Sequence, residues 1–442
     1  MKKIISLIMT ISILGAMVPT VMADNTIELE APIVCDWADN KKAAVSITID
    51  DGDYESAVEY NKLLKKYGIH ATQFLIPGRV ESASSSVISG WKTIFSEGYM
   101  DIGNHSYNHK LKYNTSTYTQ EELEKDITGS QHRIKEIFPG NDVFCFATPW
   151  GQTPDNVVTE LQKGHYANRL ASGGVVTTKT PSNFYKIPTY AVKYGTTVAT
   201  LNSKVDSAIT NGGWYVELNH GLGEEGTSDS TYLSNPENVE EHFNYIKTKS
   251  DAGDVWAGSF NEVVRYIYER NSATVETVKA EEKSMVINLT DTMSDNELFD
   301  YPLTVKVNVP QTWTNKVTVA QNEDTKTSEI VSENGKNYIY VNIVPDSGEV
   351  TLYTNESTFG LIDYNEGSVA VNIPEAGSYI VLFVDYEGSL FSNVSFVPVT
   401  VTEAKVEIVT NTADFDLSKG DKVMLWQDLI SIKPLCPALI IE

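Results

Sequence analysis

The feature that most constrains this chain is a short hydrophobic segment that ends on two adjacent aspartates. Residues 43–53 read AAVSITIDDGD, and the alternating apolar residues predict a strand that ends at Asp50 and Asp51. Loops after parallel strands carry the reacting groups of α/β enzymes. Two adjacent carboxylates repel one another, and a bound cation relieves that repulsion. The segment also fits an Asx turn that closes a strand, so the residues that follow decide between the two interpretations.

Predicted strands and helices alternate from residue 24 to about residue 270. The helix signals include a stop at Gly68 and a capping box formed by Thr119 and Glu122. Alternation over such a length predicts an α/β fold with a parallel sheet, most simply a β/α barrel. After Arg270, segments such as LTVKVNV and YIYVNIV are separated by Asn, Asp, Gly and Ser turns. This pattern predicts one or two all-β sandwich-like domains.

We divide the chain into four segments: 1–23, 24–272, 273–360 and 361–442. The first has Lys2 and Lys3 before an apolar stretch and a small-residue site that ends at Ala23, which is the pattern of a secretory signal peptide. The second is the predicted barrel, and the last two are the predicted β domains. No later stretch of the sequence is long and apolar enough to span a bilayer. We therefore expect an exported protein.

The charge balance narrows the range of partners. Acidic residues number 59 and basic residues 34, which gives a formal net charge of −25. This charge argues against nucleic acid and against an anionic membrane surface, and it suits a neutral or cationic substrate. Three cysteines are too few for a disulfide framework.

Histidines follow two other predicted strands. His105 and His109 lie four residues apart in HSYNH, a spacing that places two imidazoles on one face of a helical turn, close enough to share a metal. Two unrelated surface histidines would give the same pattern. Together with one aspartate they would form a three-ligand site with open positions, which suits a metal that activates water. His220 in VELNHG fits an acid or base better than a core histidine.

Three further residues are candidates for contact with substrate. Pro149 and Trp150 in FATPWG follow a fourth predicted strand, and a backbone N–H in such a turn can point at an oxyanion. Trp256 could stack on a sugar ring, although core packing is the more common use of a tryptophan.

Four strand ends that carry DD, HxxxH, PWG and LxH, in this order, resemble the polysaccharide deacetylase domain, also called the NodB-homology domain or carbohydrate esterase family 4. The resemblance covers about residues 40–270 and implies a distorted β/α barrel. It also implies a role for each motif residue: a catalytic base at Asp50, a general acid at His220 and metal ligands at Asp51, His105 and His109. The backbone N–H of Trp150 would then stabilise the oxyanion.

The resemblance implies a secreted hydrolase that removes acetyl groups from a polysaccharide with a divalent metal, preferably Zn²⁺, with Co²⁺ or Ni²⁺ as alternatives. An N-acetylglucosamine polymer and acetylated xylan are both open as substrates. The non-enzymatic alternative is a carbohydrate-binding or cell-surface protein that keeps the fold. The β-rich region resembles modules of secreted clostridial proteins, and we expect it to contact polymer or cell wall. We also expect a chain that ends near residues 271–273 to fold alone.

The sequence departs from the family pattern at two points. The third motif commonly has an arginine that pairs with the base, and Ala147 occupies that position here. Arg169 is a candidate to replace it. No aspartate that would partner His220 can be identified from the sequence.

Overall fold

The structure, a computed structural model, describes residues 29–109, 118–151, 153–223, 232–314, 316–322, 324–388 and 390–441. The predicted signal peptide, residues 1–23, lies outside the described residues. Within the described part of the chain, no helix has both the length and the apolar character needed to cross a membrane.

The described chain begins with strand β1 (Ile33–Val34) and then alternates strands and helices up to residue 272. The strands are β2 (Ala43–Ile49), β3 (Ala71–Leu75), β4 (Met100–Asn104), β5 (Cys145–Ala147), β6 (Ala167–Gly173), β7 (Ile187–Ala191), β8 (Trp214–Asn219) and β9 (Val255–Trp256). The helices are α1 (Tyr54–Tyr67), α2 (Pro77–Glu81), α3 (Ser85–Ser96), α4 (Gln120–Asp126), α5 (Thr128–Ile137), α6 (Asp155–Leu161), α7 (Val198–Asn211), α8 (Pro236–Asp251) and α9 (Phe260–Ser272).

Strands β2 to β8 form a closed parallel barrel. Each strand pairs with the next in sequence, and β8 pairs with β2 to close the ring. The distorted β/α barrel predicted from the sequence is therefore confirmed. Strand β9 adds to the beginning of β2, where Ala44 pairs with Trp256. The buried strands read as nearly continuous apolar runs because helices cover the outer face of the sheet.

Local sequence signals set the helix ends. Asp53 caps α1 by accepting the Glu55 N–H, and Gly68 ends the helix in the left-handed conformation at φ 62°. The capping box formed by Thr119 and Glu122 begins α4, and a second helix, α5, follows it after a break at Ile127. The Asp126 carbonyl, next to this break, accepts the Tyr107 N–H at 3.0 Å, which is a contact outside the helix.

The rest of the chain forms two β-sandwiches. The strands are β10 (Thr274–Ala280), β11 (Ser284–Thr290), β12 (Leu303–Val309), β13 (Lys316–Gln321), β14 (Asp324–Glu329), β15 (Val331–Glu333), β16 (Lys336–Ile343), β17 (Val350–Thr354), β18 (Gly360–Asn365), β19 (Ser368–Ile373), β20 (Gly377–Glu387), β21 (Leu390–Val401), β22 (Lys405–Thr410), β23 (Lys422–Trp426) and β24 (Leu439–Ile440). In the first sandwich, sheet β1-β12-β16-β15 shares a core with sheet β10-β11-β17-β13-β14. In the second, β18-β19-β22 shares a core with β21-β20-β23-β24.

The barrel and the first sandwich share buried contacts. Strand β1, which precedes the barrel in sequence, pairs with β12 of the sandwich. The Tyr266 hydroxyl on α9 donates to the Cys35 carbonyl at 2.9 Å, and the Tyr301 N–H donates to Glu269 Oε1 at 2.9 Å. Phe299, between β11 and β12, packs into the barrel-side core. The domain boundary expected at residue 272 coincides with the end of α9. The hydrophobic core nevertheless continues across this position, from the barrel into the first sandwich.

Candidate active site

The register of the parallel strands brings the predicted site residues to one rim of the barrel. Ile49 pairs with Asn219, and Asn104 pairs with Phe146. Asp50, His220 and His105 directly follow the last residues of β2, β8 and β4, and Ala147 is the last residue of β5. These residues therefore lie along one rim of the barrel, at the carboxyl ends of the strands, where β/α barrels hold their reacting groups.

Asp51, His105 and His109 form a cluster whose geometry fits a metal ion. Their candidate ligand atoms all lie within 4.8 Å of one another. The Nε2 atoms of His105 and His109 lie 3.6 and 3.8 Å from Asp51 Oδ1. This carboxylate oxygen is buried and has no hydrogen-bond donor among the described residues. A buried oxygen without a donor is costly, and a cation would stabilise it.

The tautomer of His105 suits metal binding. Its Nδ1 lies 2.7 Å from the Ala147 carbonyl, which can only accept, so Nδ1 carries the proton and Nε2 presents a lone pair to the cluster. Burial lowers the pKa of His105 to about 4, so the ring is neutral at pH 7. Ala147 therefore contributes to the site through its carbonyl, although its side chain cannot replace the family arginine.

Hydrogen bonds hold the backbone of the HSYNH turn. Ser106 and His109 have left-handed φ values of 66° and 55°, which are uncommon for residues with a side chain. The Ser106 N–H donates to Asn104 Oδ1 at 3.1 Å, and the His109 N–H donates to Ser106 Oγ at 3.0 Å. The Tyr107 N–H is held by the Asp126 carbonyl at 3.0 Å. The turn is therefore preorganised by α4 and β4.

Asp50 is paired with Arg169. The Arg169 Nη2–H donates to Asp50 Oδ1, and neither side chain is more than 4% exposed. The other carboxylate oxygen, Oδ2, faces the cluster, 3.5 Å from His105 Nε2. Burial alone would raise the pKa of Asp50, but Arg169, His105 and His220 outweigh burial and hold the pKa at about 2. The sequence named Arg169 as a candidate but could not show that β6 places it beside Asp50.

His220 lies directly after β8, close enough to lower the pKa of Asp50. Its Nδ1 has no hydrogen-bond partner among the described residues, so the structure there supplies no partner aspartate. The Tyr232 ring makes an edge contact with the His220 ring, with the centroids 5.6 Å apart. Sequence analysis did not find Tyr232, because no motif distinguishes it from the other tyrosines of the chain.

Pro149 and Trp150 also lie at the rim, in a short 3-10 turn after β5. Pro149 is buried, whereas Trp150 is 54% exposed and adopts a left-handed φ of 60°. The Trp150 ring lies beside His109, with the centroids 5.1 Å apart. This position suits contact with a molecule bound at the cluster.

Trp256 does not lie at this rim of the barrel. It pairs with Ala44 at the beginning of β2, and Asp50 lies six residues further along the chain, about 20 Å at the rise of an extended strand. Its ring contacts Tyr266 and Tyr301 at the sandwich interface. The prediction that Trp256 binds substrate is therefore corrected. The sequence was misleading because a tryptophan that stacks on sugar and one that packs in a core carry the same local signal.

Sequence analysis also did not find Arg79. Arg79, on α2, donates from Nη1 to the Asp51 carbonyl at 3.4 Å and lies 3.7 Å from Asp51 Oδ2. It follows β3, which carries none of the family motifs, so nothing in the sequence linked Arg79 to the aspartates.

A family model matches the part of the chain that carries most of these residues. Residues 38–168 match the family model described as polysaccharide deacetylase. This segment is a polysaccharide deacetylase domain. It includes four of the predicted site residues, in the loops after β2 and β4, as well as Pro149 and Trp150 after β5.

A gellan lyase from a Bacillus species is 28% identical to this chain over 339 residues, a match that covers 72% of this chain and 13% of the lyase. The chain thus spans a small part of that relative. The match is longer than segment 24–272, so the β-rich region is similar to the lyase as well.

Two solved structures share similarity with about half of the chain. The Xyl-CE4 domain of a multidomain xylanase from the hindgut metagenome of Trinervitermes trinervoides is 18% identical, with 50% of this chain and 89% of that domain covered and a TM-score of 0.35. A family 4 acetyl xylan esterase from Clostridium thermocellum is 19% identical, with 50% and 89% covered and a TM-score of 0.34.

Proposed function

We propose that this protein is a secreted, metal-dependent deacetylase that hydrolyses acetyl groups on a polysaccharide. The observation that carries the proposal is the position of Asp50 Oδ2, which faces the Asp51–His105–His109 cluster while Arg169 binds the opposite oxygen. A carboxylate fixed beside a metal site is the arrangement needed to remove a proton from water.

The cluster residues Asp51, His105 and His109 would hold a divalent cation, with Zn²⁺ preferred and Co²⁺ or Ni²⁺ as alternatives. When bound, the cation would polarise the acetyl carbonyl and increase the acidity of water. The two imidazoles and one carboxylate leave positions open for such molecules, as catalytic sites do.

Asp50 acts as the general base in this proposal. Its low pKa keeps it ionised at neutral pH, and Arg169 fixes the carboxylate so that Oδ2 stays directed at the cluster. His220, on the neighbouring strand end, donates a proton to the leaving sugar oxygen or nitrogen. As the family resemblance implies, the backbone N–H of Trp150 stabilises the negative charge that develops on the acetyl oxygen.

The proposal extends to export and to polymer contact. The sequence pattern of residues 1–23 supports export, and the two β-sandwiches provide surface for contact with polymer or cell wall. An N-acetylglucosamine polymer and acetylated xylan both fit the mechanism, because the same water attacks the same kind of carbonyl in each.

The test measures acetate released from acetylated xylan, chito-oligosaccharides and peptidoglycan glycan strands, with Zn²⁺, Co²⁺ or Ni²⁺ added and with a chelator. Asp50→Asn should retain the metal and lose about 10²-fold or more in turnover. Asp251→Asn, a change at an exposed aspartate on α8, is the matched control and should behave as wild type. No acetate from any polymer with any metal would favour the non-enzymatic alternative, a carbohydrate-binding protein that keeps the fold.

A further inference from the structure

Two arginines contact the aspartate pair, and they differ in exposure. The Arg169 side chain is fully buried and paired with Asp50, whereas the Arg79 side chain is 55% exposed beside Asp51. Arg79 uses Nη1 to contact Asp51, and a guanidinium carries five N–H donors in all. The positively charged and partly exposed Arg79 side chain therefore lies beside the proposed metal site.

Close packing between α2 and the HSYNH turn fixes the position of Arg79. The Gly78 N–H donates to the Tyr107 carbonyl at 3.0 Å. A Cβ at Gly78 would lie 2.7 Å from that carbonyl oxygen and 2.5 Å from Asn108 Oδ1, so only glycine allows this approach. Glu81, in the same helix, forms an ion pair with Arg133, so it does not compete with Asp51 for Arg79. The position of Arg79 is thus set by the backbone of the metal-binding turn.

The charges of Asp50, Asp51, Arg79 and Arg169, taken with a bound divalent cation, sum to a positive value, opposite in sign to the net charge of the whole chain. Asp50 and Arg169 neutralise one another. With a divalent cation at the cluster, Asp51, the cation and Arg79 leave a net positive charge, although the chain as a whole carries −25. Repulsion between Arg79 and the cation weakens metal binding, and an anion bound near both would offset that repulsion. The local field therefore favours an anionic group on the substrate.

We propose that Arg79 selects a carboxylate-bearing polysaccharide by binding the carboxylate of a sugar that neighbours the acetylated one. A guanidinium binds a carboxylate through two parallel N–H donors, which gives orientation as well as attraction. This inference rests on the proposed deacetylase function and names the substrate class of the same site. It replaces the expectation, drawn from net charge alone, of a neutral or cationic substrate.

The test compares two matched pairs of polymers that share the acetyl linkage. The O-acetyl pair is acetylated xylan with and without glucuronic acid branches, and the N-acetyl pair is peptidoglycan glycan strands and chito-oligosaccharides. The measured quantity is kcat/KM on the acidic polymer divided by kcat/KM on its neutral partner. Arg79 also contacts Asp51, so a substitution can change metal affinity or turnover, but those changes affect both polymers of a pair and cancel in the ratio.

We expect Arg79→Gln to lower this ratio about three- to tenfold, which is the effect expected from the loss of a partly exposed ion pair. Arg79→Glu should lower the ratio further. In the wild type, KM for the acidic polymer should rise with salt, and Arg79→Gln should flatten that dependence. Lys62→Glu is the control for overall charge, because Lys62 is exposed on α1 away from the rim. Its ratio should equal that of the wild type.

A binding measurement provides a readout independent of turnover. Calorimetry with a non-acetylated glucuronic acid oligosaccharide should show weaker binding to Arg79→Gln than to wild type. An active enzyme whose ratio and affinity do not change in Arg79→Gln would overturn this inference alone. Absence of acetate from all four polymers would overturn the proposed function, and this inference with it.

Discussion

The guanidinium of Arg169 on β6 donates a hydrogen bond to the carboxylate of Asp50 at the end of β2, and both side chains are buried. Arg169 also packs over the Phe74 ring and donates to Thr48 Oγ1 at 3.2 Å. The family that this domain resembles commonly places the arginine in the third motif, where this chain has Ala147. Here an arginine on the next strand contacts the base, and the Ala147 carbonyl orients His105.

The first prediction concerns the stability of this buried pair. Arg169→Met should lower the free energy of unfolding of the barrel by about 3–5 kcal/mol, because it leaves the Asp50 charge buried and unpaired. The double variant Arg169→Met with Asp50→Asn should recover much of that loss, since no buried charge remains. The measurement is denaturant unfolding of both variants.

Arg133→Met is the control for this comparison of the single and double variants. Arg133 is an exposed arginine that pairs with Glu81, and its loss should cost less than about 1 kcal/mol. A double variant no more stable than Arg169→Met would show that the arginine acts through packing on Phe74 and not through the charge of Asp50.

The second prediction concerns the metal cluster. His109→Ala should abolish stoichiometric binding of Zn²⁺ and acetate release together, because two remaining ligands cannot hold zinc tightly. Elemental analysis of the purified protein measures the bound metal. His132→Ala, at an exposed histidine on α5, should bind metal as wild type does. Full zinc occupancy in His109→Ala would remove His109 from the ligand set.

The sequence was sufficient to predict the barrel and the motif residues at its rim. Apolar strands that alternate with capped helices indicated a parallel sheet, and the parallel register then brought Asp50, His105 and His220 together, as their positions at strand ends implied. Because each motif follows a strand directly, local sequence determined its place in the fold.

The residues that sequence could not place act across long separations in the chain. Arg169 pairs with a residue 119 positions earlier, and the contact of Trp256 with Tyr301 crosses from barrel to sandwich. Arg79 reaches Asp51 only because Gly78 allows α2 to contact the HSYNH turn. Each of these contacts depends on how elements pack, and no local pattern in the sequence encodes it.

The third prediction concerns a buried carboxyl at the opposite end of the barrel. Burial raises the pKa of Asp101, at the beginning of β4, to about 7, although its Oδ2 accepts a hydrogen bond from Ser259. Between about pH 4 and pH 7 the folded protein therefore holds a proton that the unfolded chain has released. The free energy of unfolding should therefore fall as the pH rises from about 4 to about 7, and it should stop falling above pH 7.

Asp101→Asn removes this titration while it keeps the shape of the side chain. The variant should be about as stable as wild type at pH 5 and more stable at pH 8, by about 1–4 kcal/mol for a shift of this size. Thermal melts at both pH values measure the difference. Asp251→Asn should show no such change between pH 5 and pH 8. A constant difference between Asp101→Asn and wild type across this range would contradict the assignment.

The last prediction concerns the junction between the barrel and the first sandwich. From sequence alone, a chain that ends near residues 271–273 was expected to fold alone. The structure changes that expectation, because Phe299 packs into the barrel-side core and Tyr266 of α9 belongs to the sandwich core. Truncation at residue 272 would expose these apolar surfaces and remove the partner of β1. Each large apolar side chain exposed costs about 1.5–3 kcal/mol.

The test compares three chains that begin at residue 24 and end at 272, 358 and 442. The chain that ends at 358 keeps the first sandwich, so its barrel should melt near the temperature of the full-length protein. The chain that ends at 272 should melt well below it or aggregate. Since aggregation alone gives no melting temperature, Phe299→Ala in the full-length protein provides a second measurement, with an expected cost of about 3–5 kcal/mol. Equal melting temperatures for all three chains would show that the sandwich contributes nothing to barrel stability.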